Sequence, residues 1–317
     1  MTHDHHVHDH HDHDHHDHGA GGHAHAPKDF GLAFAIGTTL NITIVVLEGI
    51  FGVLSNSMAL LADAGHNLSD VFGLLLAWGA STLVKKKPTA RFTYGMGASS
   101  ILAALGNSIL LLVATGAIAW EAIGRLWEPE PVSGITVMVV AGIGILANGF
   151  TAWLFTSGRN DDINVRAAFL HMAGDAAISL GVVIAGGITL LTGWLMVDPI
   201  VSLIIAALIV WSTWSLLKDS MVMAMQAVPP GMNTDDVRQS LEDLPGVSHL
   251  HDLHIWAMST TKTALTCHLV MPAGHPGDRF LSEASHMLAS RFKIDHATFQ
   301  IEVSEDSECN LESDDVI

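Results

Sequence analysis

Between residues 31 and 217 the chain alternates long apolar runs with short polar breaks. Six runs stand out, at approximately 31–54, 58–84, 98–122, 132–156, 167–192 and 198–217. Each is near the ~20 residues an α-helix needs to cross the hydrocarbon core of a bilayer. The breaks carry turn chemistry: Ser55-Asn56-Ser57, Lys85-Lys86-Lys87-Pro88, Glu128-Pro129-Glu130-Pro131, Ser157-Gly158-Arg159-Asn160 and Thr192-Gly193-Trp194. Beyond residue 217 the pattern becomes that of a small soluble domain. A helix is predicted over 234–244, capped by Thr234 with Asp235 and Asp236 in its first turn. Leu253, Ile255 and Ala257 alternate as in a strand, and 263–271 reads as a second strand. A helix near 279–292 and a strand at 297–303 complete an αββαβ order. The expected fold is an all-α six-helix transmembrane bundle followed by a ferredoxin-like α+β domain with its helices on one sheet face. Four regions follow: a tail at 1–28, the bundle at 29–217, the C-terminal domain at 218–305, and an acidic end at 306–317.

Composition sharpens this picture. Only 15% of residues are charged, against about a quarter in soluble domains, and the charges gather at the two ends. The net charge of -18 argues against nucleic acid and suits a protein that handles cations. Two cysteines, Cys267 and Cys309, make no disulfide framework or C-x-x-C pair. Residues 1–26 hold 12 of the 21 histidines and no apolar stretch typical of a secretion signal. There His3, His5, His6, His8, His10, His11, His13, His15, His16 and His18 interleave with Asp4, Asp9, Asp12, Asp14 and Asp17. Such a segment cannot bury a core. It reads as a weak, many-site metal collector or, more blandly, as an expression tag.

Lysine and arginine in the loops set the expected orientation. Lys28, Lys85, Lys86, Lys87, Arg91, Arg159, Arg166 and Lys218 fall on the side of the termini, and Arg125 on the other. Both termini are therefore expected in the cytoplasm.

Ionisable groups inside spans are costly and mark function by default. The second run reads ADAGHNLSD, with Asp63, His66 and Asp70; the fifth reads HMAGD, with His171 and Asp175. In each, His and Asp stand four residues apart, on one helix face. Two such pairs supply two imidazole nitrogens and two carboxylate oxygens, a donor set that suits Zn²⁺. The plainer reading, helix–helix hydrogen bonding, has to explain matched pairs in two spans with no Lys or Arg at mid-span. Asp63 is a less certain ligand than His66 and could instead support the ligands from behind. Glu48 could line an ion path. Glu121 and Asp198 are expected at helix ends or the interface. Asn41 and Asn148 are expected to make interhelical hydrogen bonds, and Gly142, Gly144, Gly149, Gly181, Gly186 and Gly187 to permit close helix packing.

The chain resembles the cation diffusion facilitator family, in its zinc-exporting branch. LLADAGHNLSD, NVRAAFLHMAGD, HDLHIW and HATFQIE carry the resemblance, which covers nearly everything after residue 28. It implies a homodimer in a bacterial inner membrane, alternating access, and exchange of Zn²⁺ for protons, with Cd²⁺ or other divalent transition metals as further cargo and no organic cofactor. By motif, the transport ligands are His66, Asp70, His171 and Asp175. His251, His268 and Glu302 match positions that bind regulatory zinc in the C-terminal domain, and His275 is a further candidate there. Gln300 departs from relatives with His at that position. No His lies between residues 67 and 170, so an accessory loop site is expected to be absent. Imidazole titrates near ~6.5 and must be deprotonated to bind metal, so metal and proton compete for His66 and His171. Two other classes compete with this reading: a metal-sensing receptor without flux, and an intramembrane zinc hydrolase. The second lacks an H-E-x-x-H motif, and four protein ligands leave no open coordination position for water.

Overall fold

A computed structural model describes residues 32–156 and 163–303. The His-rich tail, Arg159 and Cys309 lie outside these residues. Six long helices come first: α1 (Leu32–Ser55), α2 (Met58–Val84), α3 (Ser99–Trp127), α4 (Gly134–Phe155), α5 (Ile163–Thr192) and α6 (Val197–Ala224). All six are long and apolar enough to cross a membrane. At 1.5 Å per residue α5 reaches about 45 Å, against a hydrocarbon core of ~30 Å. Trp120, Leu146, Leu191 and Trp211 stand on the outside of the bundle. Such an exterior is suited to lipid, since soluble proteins rarely expose contiguous apolar patches above a few hundred Å². Small and branched side chains fill the interior, among them Ala59, Ala62, Val137, Ala141, Val182 and Ile205.

Helices α3 and α6 overrun the apolar stretches that announce them, ending at Trp127 and Ala224. Backbone hydrogen bonding continues past the point where hydrophobicity falls, so apolar runs mark the membrane-crossing part of a helix and not its end. Close packing at glycine is confined to a few positions. A Cβ on Gly144 would lie 3.0 Å from Glu48 Oε1 and 3.2 Å from Ser179 Oγ, and one on Gly186 would lie 2.9 Å from Met138 Cγ. Gly142, Gly149 and Gly181 have nothing within 4 Å, so the expectation fails there. Asn41 and Asn148 are buried, but Asn41 Oδ1 and Asn148 Nδ2 find no partner among the described residues. Among asparagines, bonds between helices come instead from Asn67 Nδ2, which donates to Glu48 Oε2 (3.2 Å), and Asn107 Nδ2, which donates to Ser69 Oγ (3.4 Å).

Asp198 stands at a helix end, as expected, and is buried. From the first turn of α6 it accepts hydrogen bonds from the Ser57 hydroxyl, Met58 N–H (2.7 Å) and Ala59 N–H (3.4 Å). These are donors at the start of α2 that no intrahelical carbonyl can satisfy. Ser57 Oγ itself accepts from Leu60 N–H at 3.1 Å. Nearby, Arg125 donates to the backbone and side-chain oxygens of Asn56, both at 2.7 Å, and pairs with Glu121 at 3.2 Å.

The C-terminal domain follows as α7 (Thr234–Glu242), β1 (His249–Ala257), β2 (Thr263–Val270), α8 (Asp278–Phe292) and β3 (Ile294–Glu302). The order is the expected one. The cap of α7 is Asn233 and not Thr234: its side chain accepts from Asp235 N–H at 3.0 Å. β2 is central, antiparallel to β1 and parallel to β3, with α8 forming the crossover that a parallel pair requires. Leu265, Cys267 and Leu269 of β2 pack with Val237 and Leu241 of α7 and Leu288 of α8. Alternation along β2 therefore turns Thr266 and His268 to the opposite face.

The two domains touch. The loop between α2 and α3 and the first turn of α3 sit on the β1–β2 turn, where Thr260 N–H donates to Ser100 Oγ at 3.1 Å. Gly97 lies so near the Met258 carbonyl that a Cβ would meet its oxygen at 2.6 Å. Tyr94 also meets the ring of His296 edge-on, with centroids 5.5 Å apart.

Candidate metal centres

The 3.6-residue repeat turns His66 and Asp70 of α2, and His171 and Asp175 of α5, towards each other. His171 Nε2 lies 3.3 Å from Asp70 Oδ2 and 3.6 Å from Asp175 Oδ2. His66 Nε2 lies 3.5 Å from Asp175 Oδ1 and 3.9 Å from Asp70 Oδ2. Nitrogens and oxygens thus alternate around one small space. A tetrahedral ion with bonds of ~2.0–2.1 Å places its donors about 3.3 Å apart; ligand atoms of Asp70, His171 and Asp175 all lie within 4.8 Å of one another, while His66 stands beside this set and outside it. Asp70 Oδ2 and Asp175 Oδ2 are buried and receive no hydrogen bond among the described residues. Buried carboxylate oxygens normally have a partner; here their common partner is the space between the helices. Asp175 is deepest, at 2% exposure, while His171 is 41% exposed and marks an open side. Packing between α2 and α5 is otherwise sparse.

Asp63 and Glu48 stand outside this set of four. Asp63 Oδ2 accepts from Ser179 Oγ of α5 at 2.9 Å, and Glu48 on α1 takes the Asn67 bond described above. Both carboxyl groups are fully buried. Asn67 and Ser179 were not singled out by sequence; the signal available was their place next to His66 and one turn from Asp175.

The second group lies on the sheet face away from the helices of the C-terminal domain. His251 Nε2 is 3.1 Å from Glu302 Oε2, and His268 Nδ1 is 2.9 Å from Glu302 Oε1. The two rings meet at 84° with centroids 4.9 Å apart. One ligand atom from each of the three residues lies within 4.8 Å of the others. Gln300 Nε2 donates to Glu302 Oε1 at 3.1 Å, so it supports the carboxylate. Partial burial pushes the Glu302 carboxyl up, but bonds from His251 and Gln300 and the nearby imidazoles outweigh it. The group is held below the usual carboxylate range and is charged at neutral pH. His275 does not join these residues. It lies in the exposed turn before α8, where its Nδ1 accepts from Gly277 N–H at 3.1 Å.

The chain belongs to the cation efflux family: the family's transmembrane domain matches residues 34–223 and its cytoplasmic domain residues 229–304. This is a family of cation transporters and not of enzymes. The chain is 38% identical to the zinc transporter ZitB of Escherichia coli over 284 residues, covering 88% of this chain and 90% of that one. It is 34% identical to the metal cation efflux system protein CzcD of Cupriavidus metallidurans, covering 89% and 90% of the two chains. A cadmium, cobalt and zinc/H⁺-K⁺ antiporter of Bacillus subtilis is 34% identical, with 81% and 84% covered. Among solved structures, the metal-bound C-terminal domain of the CzcD transporter is 40% identical, covering 22% of this chain and 99% of that one, with a TM-score of 0.21.

Proposed function

We infer that this protein exports Zn²⁺ from the cytoplasm in exchange for protons, accepting Cd²⁺ and related divalent transition metals as secondary cargo. The observation that carries the reading is the alternating ring of two imidazole nitrogens and two carboxylates between α2 and α5. Its donor chemistry suits Zn²⁺, ligand atoms of Asp70, His171 and Asp175 lie within 4.8 Å of one another with His66 3.5 Å from Asp175, and the relatives named for zinc and antiport act on the same class of cargo. Coupling follows from shared lone pairs. A proton on His66 or His171 occupies the electron pair that metal needs, so each ligand displaces the other. His251, His268 and Glu302 sense metal in the C-terminal domain, and the His-rich tail gathers metal at low concentration. The protein works as a homodimer, with both termini in the cytoplasm as the loop charges favour.

The test is zinc uptake into liposomes containing the full chain, driven by an acidic interior. Uptake should stop when the proton gradient is dissipated, and His66→Ala and Asp175→Ala should abolish it. Uptake indifferent to the gradient would refute proton exchange. Zinc binding without any flux would return the receptor reading.

A further inference from the structure

Three oxygens inside the bundle are buried without a donor, although none belongs to the metal-site residues: Glu48 Oε1, Asp63 Oδ1 and Asn67 Oδ1. All three residues are fully enclosed. Glu48 comes from α1, Asp63 and Asn67 stand one turn apart on α2, and Ser179 of α5 closes the group. Asn67 Nδ2 donates to Glu48 Oε2 and the Ser179 hydroxyl to Asp63 Oδ2, so each carboxyl group has one oxygen satisfied and one left over. On the α4 side Glu48 Oε1 and Ser179 Oγ both flank Gly144, where a side chain would crowd them. The two carboxyl groups lie within hydrogen-bonding reach of each other, and no Lys or Arg among the described residues stands beside them. α1 holds no other charged residue and α4 none. α2 and α5 add His66, Asp70, His171 and Asp175, while Arg166 is about 20 Å of helix away from Ser179. The charges of α3 and α6 lie at helix ends: Glu121, Arg125 and Asp198 by the start of α2, Lys218 and Asp219 near the far end of α6.

We propose that Glu48 and Asp63 hold one proton between them, and that this pair is a proton-carrying site of the exchange, separate from the metal ligands. Two carboxylates side by side in a low-dielectric interior repel each other, and with no cation between them both cannot stay charged. One shared proton removes the repulsion and supplies a donor where none exists: the Glu48 hydroxyl donates to the Asp63 carboxylate. Asn67 and Ser179 hold the outer oxygens, so the inner ones are left to face each other. The pair offers only oxygen donors, whereas transition metals favour nitrogen and sulfur; a proton suits it better than Zn²⁺ does. Its link to the cargo is electrostatic. Asp63 stands three residues before His66, about 4.5 Å along the helix axis. A dication at the ligands therefore repels the shared proton. When Zn²⁺ binds, the Glu48 O–H bond breaks, the proton leaves to water, and the cation's charge compensates the second carboxylate. When Zn²⁺ departs, a proton returns from water to the pair. This rests on the exchange of Zn²⁺ for protons inferred above, and extends it from the imidazoles to carboxyl groups that do not touch the metal.

The experiment saturates the full chain in detergent with Zn²⁺ and counts the protons released with a pH-indicator dye in weak buffer. Bound zinc is measured in the same samples. The unaltered chain, Glu48→Gln and Asp63→Asn are compared, so that metal sites outside the bundle contribute equally to each. Either variant should release about one proton fewer per chain at the same bound zinc. An equal proton count in both variants, with uptake by the unaltered chain still dependent on the proton gradient, overturns the pair and leaves the exchange standing. Fewer protons only in proportion to less bound zinc would make the pair a metal ligand and overturn it as a proton site. Uptake indifferent to the gradient overturns both. Infrared difference spectra of the unaltered chain, with and without Zn²⁺, decide the matter even where a variant does not fold. The band of a protonated carboxyl group should disappear when Zn²⁺ binds; no such band in the zinc-free chain overturns the pair.

Discussion

Replacing Asp175 with asparagine keeps the shape of the side chain and removes its charge. Asp175 is the most deeply buried of the four residues, and its oxygens lie 3.5 Å from His66 Nε2 and 3.6 Å from His171 Nε2. Its Oδ2 has no hydrogen-bond donor among the described residues, so the substitution acts chiefly on the two imidazole contacts. Interactions with a charged group are worth about 1.5–3 kcal/mol net, which at about 1.4 kcal/mol per tenfold is roughly a 10- to 150-fold loss of affinity. Carboxylates that only orient a ligand account for about 10–100-fold, so a direct ligand is expected to reach at least the lower figure. The assay is the initial rate of zinc uptake into proteoliposomes across a range of buffered free zinc. Half-saturation should rise about tenfold or more in Asp175→Asn. Asp63→Asn, whose amide oxygen can still accept from Ser179, should change it less. Half-saturation within about twofold of the unaltered chain in Asp175→Asn would mean that this carboxylate is not a ligand.

Other expectations follow from single contacts. Asp198→Ala leaves the Ser57 hydroxyl and the Met58 amide buried without their acceptor, at about 1–3 kcal/mol each. The melting temperature in detergent should fall by roughly 5–15 °C, and an unchanged melt would refute the capping role. Gly97→Val drives a side chain into the Met258 carbonyl, so amide exchange at Thr260 should quicken; unaltered protection would show that the contact does not hold the domains together. Burial, and then the Asp252 charge, push the Cys267 thiol up to about 12. At pH 8 it stays a neutral thiol, and peptide mapping after iodoacetamide treatment should find it unmodified until the chain is denatured. Prompt labelling in the native chain would count against that environment.

The bundle was legible because its signals are long-range and redundant. Each span repeats the same apolar message over five or more turns, and the H-x-x-x-D spacing fixes a helix face without knowledge of the neighbours. What remained hidden depends on single backbone angles or on partners distant in sequence. A β-bulge at Asp252 reverses a face assignment that two-residue periodicity makes confidently. Asn233 takes the cap from Thr234 because cap identity turns on the conformation of one residue. Gly144 could not be told from Gly142, since only one of them faces α1 and α5 side chains. Asp198 gave no sign that its partners lie at the start of α2, 139–141 residues away. His275 shares a residue type with His251 and His268, but its Nδ1 accepts from a backbone amide.

The seating of the α2–α3 loop on the β1–β2 turn also has a mechanical consequence. Gly97, Ser100 and Tyr94 grip the C-terminal domain at Met258, Thr260 and His296. From the end of α2 at Val84 back to Asp70 is about 21 Å of stiff helix. A rigid rod of that length, pushed sideways by ~1 Å at its far tip, swings through roughly three degrees. Rocking of the sheet would reach the start of α3 directly, at Ser100, and would reach α2, the arm on which His66 and Asp70 stand, only through the loop that joins the two helices.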